Sequence, residues 1–230
     1  MGTQAWVGLV SAAIGVRAEA ADPVVDQVPA LQGRGAAVDL GGLPTAERIA
    51  AGACVRRALA HLEEDAPGLA LAVLDGLRTG DPALQRAIHE VRVQAWLERG
   101  ELDAALATVQ RERLRPSYPH DVAQALRRAG RRTEALALAA TIRTHTPLEA
   151  RAVANLLVDL HLEMGDVDGA QEVLRTRPAD AISRANVGTA LLGRRRAAEA
   201  RPLLEDACPD LEGGAEGPWC EDVLRQARSR

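Results

Sequence analysis

The sequence predicts an all-helical fold, a solenoid of about five helix-turn-helix hairpins, and three observations predict it. The first is composition. All 28 basic residues are Arg, Phe is absent, and Ala is abundant throughout the 230 residues. That bias fits a GC-rich, bacterial genome, and Ala, Leu, Arg and Glu all favour helix. Aromatic and β-branched residues are too scattered to write strands. The second observation is a recurring pair, a turn-forming residue followed five positions later by Ala. The third is a set of prolines spaced to end one hairpin and begin the next.

The pair is seen in "WLERGELDAALATV", where Gly100 precedes Ala105. It returns as Gly130 with Ala135, Gly165 with Ala170 and Gly193 with Ala198, and upstream as Asp65 with Ala70. These origins lie 35, 30, 35 and 28 residues apart. Self-similarity at such a period marks a helical repeat, and five units exceed the roughly three needed to bury a continuous core. Gly, or Asp in its place, accepts the left-handed conformation that stops a helix. The small Ala then lets the second helix of the hairpin approach the first.

Nine residues after the origins stand Leu74, Val109, Ala139, Leu174 and the anomalous Pro202. Pro202 should kink or delay its helix. Pro82, Pro116, Pro147, Pro178 and Pro209 are expected to force the step to the next hairpin.

This grammar resembles the tetratricopeptide repeat family, over residues 46–207. Seven residues before the origins, where that family places a small side chain, stand Ala58, Val93, Ala123, Val158 and Asn186. Four before, at its aromatic position, stand His61, Trp96, Leu126, His161 and Thr189. The aromatics are mostly missing, so the repeats are degenerate. The resemblance implies a right-handed α-α superhelix whose concave face, lined by the first helix of each hairpin, binds a peptide or protein.

Ten residues before the origins lie Val55, Glu90, His120, Asn155 and Ser183, and six before lie Leu59, Gln94, Gln124, Asp159 and Val187. The middle unit adds Arg127 and Arg128. The candidate partner-binding strip is therefore Glu90, Gln94, His120, Gln124, Arg127, Arg128, Asn155 and Asp159. Amides there can bond an extended peptide backbone and Arg can fork onto a carboxylate. The competing reading is a merely solvated helix face. The family's carboxylate clamp needs Lys, which this chain lacks, so that role is not carried over.

The flanks are of different character. Residues 1–20 hold a twelve-residue apolar run, Ala5 to Val16, followed by Ala18-Glu19-Ala20, which has the form of a signal-peptidase site. An apolar N-terminal helix docked on the first repeat is the alternative. Residues 21–45 are rich in Pro and Gly and read as a linker or strap. Residues 208–230 form a C-terminal loop and capping helix, in which Cys208 and Cys220 flank a Gly-rich loop and can pair. A disulfide there and a signal peptide support each other, because both belong to an exported, periplasmic or extracellular chain. A cytoplasmic location with free thiols is the alternative. Cys54 reads as a small buried hydrophobe.

Chemistry is hard to find. No His pair, zinc spacing, P-loop or nucleophile motif occurs, so neither a metal nor a cofactor is expected. The net charge of −4 gives no basic footprint for nucleic acid. Arg194-Arg195-Arg196 and the Arg127–Arg132 cluster are expected to be solvated. No stretch is long enough to span a membrane. The expected function is a non-catalytic protein-binding scaffold. The alternatives are a structural subunit of an envelope or secretion complex, which would bring membrane-complex association, and a helical enzyme.

Overall fold

The structure, a computed structural model, describes residues 44–229. The predicted signal peptide lies outside the described residues, as does the strap up to residue 43. Eleven α-helices and no strand make up the described chain. They are α1 Pro44–Glu63, α2 Pro67–Leu74, α3 Pro82–Arg99, α4 Leu102–Arg111, α5 Ser117–Arg128 and α6 Arg132–Thr141. The rest are α7 Pro147–Glu163, α8 Val167–Thr176, α9 Ala181–Gly193, α10 Ala197–Leu211 and α11 Gly217–Ser229. The chain divides after Leu114 into unit one, which holds α1–α4, and unit two, which holds α5–α11.

Within each unit every helix packs on the next. In unit one α3 also meets α1, and in unit two α7 meets α5 and α9. The core of unit one gathers Val55, Ala58, Leu59, Leu62, Leu74 and Ile88, with Leu71 and Leu77 packed against it.

The five hairpin turns share one backbone geometry. Asp65, Gly100, Gly130, Gly165 and Arg195 all have positive φ, between 57° and 78°. Each donates its N–H three residues back, and the following residue donates to the carbonyl five back: Ala66 to His61, Glu101 to Trp96, Arg131 to Leu126, Asp166 to His161, Arg196 to Leu191. These paired bonds satisfy the helix-terminal carbonyls that would otherwise be orphaned. Five residues past each turn sits a fully buried Ala: Ala70, Ala105, Ala135, Ala170 and Ala200.

The last hairpin corrects the register expected from Gly193. That glycine is the final residue of α9, and the left-handed residue is Arg195, with φ 62°. Ala198 is exposed, while Ala200 takes the buried position. Shifted by two, the anomalies of this unit disappear. Its position nine after the turn is the buried Leu204 rather than Pro202, and its position seven before is Gly188 rather than Asn186. A Cβ on Gly188 would stand 2.8 Å from Leu204 Cγ, so only glycine leaves room for the Leu204 side chain there. Packing sets the phase here, at a cost of about 1 kcal/mol for a left-handed non-glycine residue.

The prolines fall as expected with one exception. Pro82 and Pro147 open α3 and α7, where a missing N–H costs nothing. Pro116 immediately precedes α5, and Pro178 lies in the loop before α9. Pro209, however, lies inside α10, which also runs through Pro202 without a break. Asp81, Thr146 and Asp180 cap the first helices of their hairpins by accepting backbone N–H bonds. Thr146 and Glu149 form a reciprocal capping box.

Cys208 and Cys220 form the disulfide, with sulfurs 2.07 Å apart, and join α10 to α11. Closing a loop of this size restricts the unfolded chain by about 3 kcal/mol. Cys54 is half-buried rather than fully buried, and burial pushes its thiol pKa up.

Candidate functional site

The eight strip residues belong to both units and serve different ends. In unit one Glu90 is only 3% exposed, so it lies in the interior side of α3 and offers no surface to a partner in this conformation. Gln94 is half-buried and donates through Nε2 to Glu98 Oε1 at 3.2 Å. Burial raises the Glu98 carboxyl above its ordinary range, against the pull of the Gln94 bond.

In unit two the first helices α5, α7 and α9 are braced to one another by the residues the sequence singles out. Arg127 on α5 bonds Asp159 Oδ2 at 2.8 Å and Glu163 at 2.7 Å, both on α7. Arg132 shares Glu163 at 3.0 Å. Burial works to lower the Arg127 pKa, but the bonds and charges of Glu163 and Asp159 outweigh it and raise it. Glu163, likewise opposed by burial, ends below the usual range because two arginines hold it. Asp159 goes the other way. Burial, with Glu163 and Asp180 nearby, raises it despite Arg127.

Asn155 on α7 is also structural. It donates to Asp180 Oδ2 at 2.6 Å, and its Oδ1 accepts from the Asp180 N–H and from Ser183 Oγ, both at 3.0 Å. It thus fixes the residue that caps α9. His120 is half-buried with Nδ1 3.6 Å from Asp121 Oδ1. Gln124 is half-buried and Arg128 exposed, and neither is held by a hydrogen bond or ion pair among the described residues. In unit two Arg127, Asn155 and Asp159 hold helices together while staying partly exposed, and His120, Gln124 and Arg128 have no partner on another helix among the described residues.

The Arg triplet is more engaged than its sequence suggests. Arg194 donates to the Gly165 carbonyl, and Arg196 bonds Asp168 while forking onto Glu199 at 2.7 Å through both nitrogens. Those contacts tie the last turn to the preceding hairpin.

Unit one holds a feature that the repeat phases do not pick out, a cleft of about 570 Å³ lined by Leu71, Asp75, Leu77, Arg78, Arg92 and Trp96. It opens where α2 stops after 8 residues, two short of α4, α6 and α8. Gly76, at φ 64°, turns the chain there. Arg92 Nη2 caps the end of α2 by donating to the Leu74 carbonyl. The sequence signal was present but faint: Arg92 and Trp96, four apart, share a face of α3.

Among the described residues no group of three His, Cys, Asp or Glu side chains is gathered to hold a metal ion. No described helix is long and apolar enough to cross a membrane. No family model, curated protein or solved structure matches the chain.

Proposed function

We propose that this chain is a solenoid of degenerate tetratricopeptide-like hairpins and acts as a non-catalytic scaffold, binding a protein or peptide on the concave face formed by its first helices. The observation that carries the reading is the fivefold turn, one geometry at Asp65, Gly100, Gly130, Gly165 and Arg195, each followed by a buried Ala. A chain that repeats one hairpin so closely has its recurring residues in architecture, which leaves recognition to side chains exposed on one helix set. In unit two those are Gln124 and Arg128, with His120 beside them. The chain is exported, consistent with the 208–220 disulfide.

A second reading, a structural subunit that assembles through its edges, is favoured by Leu148, 76% exposed at the start of α7, and Ile182, 42% exposed at the start of α9. Photo-crosslinking residues placed in the native cell at 124, 128, 137 or 148 separate the two. Adducts from 124 and 128 and none from the outer-helix position 137 support the scaffold. Adducts from 148 alone support the subunit, and silence at 124 and 128 overturns the scaffold.

A further inference from the structure

We infer that the cleft of unit one is a binding site for a carboxylate that carries an apolar side group. The inference rests on unit one alone and is independent of the scaffold reading. The cleft, at about 570 Å³, is of the size that holds a small organic ligand. Its walls divide the labour. Leu71 and Leu77 rest on the core below, and Trp96 presents an indole ring. The lining holds two guanidinium groups, those of Arg78 and Arg92, and one carboxylate, that of Asp75, so it carries one net positive charge.

Arg92 is the key group. Its guanidinium is half-buried and makes one hydrogen bond, to the Leu74 carbonyl, and no carboxylate of the described residues lies within 4 Å of it. Burial pulls its pKa below the ordinary arginine value, Arg78 adds to that pull, and the charge of Asp75 offsets only part of it. A partly desolvated cation with unused donors favours an anion that can accept a fork of two N–H bonds. The carbonyl end of α2 and Asp75 oppose an anion. The Leu74 oxygen, however, already accepts from Arg92 and from the Leu77 N–H at 3.1 Å. A single carboxylate matches the net charge, and an aliphatic or aromatic group beside it would cover Leu71, Leu77 and Trp96. Two sources have this chemistry, a free small acid and the C-terminal residue of a polypeptide.

The test titrates the full chain with N-acetyl-leucine, with its neutral amide, and with a pentapeptide ending in leucine, while the Trp96 indole N–H resonance is followed by NMR. The acid is expected to shift that resonance saturably and the amide to leave it in place. Arg78 is exposed and unpaired among the described residues, so Arg78→Glu should leave the fold intact and weaken the acid by about tenfold. Binding of the pentapeptide at least as tight as that of the acid identifies chain ends, and binding of the acid alone identifies small acids. The inference is overturned if acid and amide behave alike, if neither acid nor pentapeptide moves Trp96, or if Arg78→Glu binds as the parent does.

Discussion

Arg92 in unit one and Arg127 in unit two are both partly buried arginines on the first helix of a hairpin, and their surroundings are opposite. Arg127 is held by two carboxylates of the next first helix and shares one of them with Arg132. Arg92 has one backbone carbonyl and an exposed Asp75 nearby. The same contrast runs through the acids. Among the described residues the carboxylates held below their usual range, Glu134, Glu149, Glu163, Asp166 and Glu199, all belong to unit two. Among the described residues the shifted acid of unit one is Glu98, and it is raised, as is Asp159 in unit two. Arg127 is a brace between two helices, and Arg92 is a cation facing a cleft. A charged residue on the first helix of a hairpin therefore says little until its neighbour in the next hairpin is known.

The largest expected effect follows from reversing the better-held arginine. Arg127→Glu sets three carboxylates together and should destabilise unit two by about 2–3 kcal/mol, less than a fully buried pair would because the partners remain about a third exposed. Arg92→Gln should cost under about 1 kcal/mol, since the Leu74 carbonyl keeps its bond from Leu77. Urea unfolding of the two variants checks this, and equal losses would erase the contrast between the units.

Acid should act on unit two next. Arg196 holds Glu199 down to about 2 from its ordinary 4.5, with Gln171 assisting. The Gly169 N–H, and then His161, lower Asp166, and Arg127 and Arg132 lower Glu163. Acids whose folded pKa is depressed stabilise the fold above the unfolded value near 4 and lose that contribution as pH falls towards the folded value. The raised acids, Asp159 in unit two and Glu98 in unit one, have the opposite slope, losing stability as pH rises through their window. With several lowered acids against one raised, unit two should open first as pH drops from about 4.5 to about 2. These groups are largely exposed, so the effect is modest and weakens with salt. Pepsin cuts mapped along that descent should appear in α7–α10 before α1–α4. The reverse order would break the comparison.

The smallest effects concern the two turns that lack glycine, one in each unit. Arg195→Gly should stabilise by about 1 kcal/mol, because φ 62° is strained for a residue with a Cβ. Asp65→Gly, at φ 57°, should gain less than about 0.5 kcal/mol, because Asp tolerates this region better. Thermal melts of both variants check the ranking.

The first four turns were legible because Asp65, Gly100, Gly130 and Gly165 state the left-handed residue in their own chemistry. The fifth lies two residues beyond the glycine that the spacing favours, because Gly193 has the chemistry of a left-handed residue and Arg195 does not. The candidate strip was legible in residue type but not in its contacts. His120, Gln124 and Arg128 remain accessible, yet nothing in the sequence reveals that Asp159 and Glu163 reach Arg127, or that Asn155 fixes the cap of α9. Those partners lie 25 to 36 residues away. Glu90 sits at a phase read as polar surface, but it is buried.

By itself, then, the sequence determined the helical class, the hairpin period, the Ala after each of the first four turns and the two cysteines placed so that they can pair, all carried by local spacing and by residues with narrow conformational preferences. Tertiary structure decided the register of the last hairpin, the division after Leu114 and the fate of each charge. Gly188 has to meet Leu204, and that contact outweighs the mild strain at Arg195. An arginine becomes a brace or a binding group according to whether a carboxylate one repeat away comes within reach.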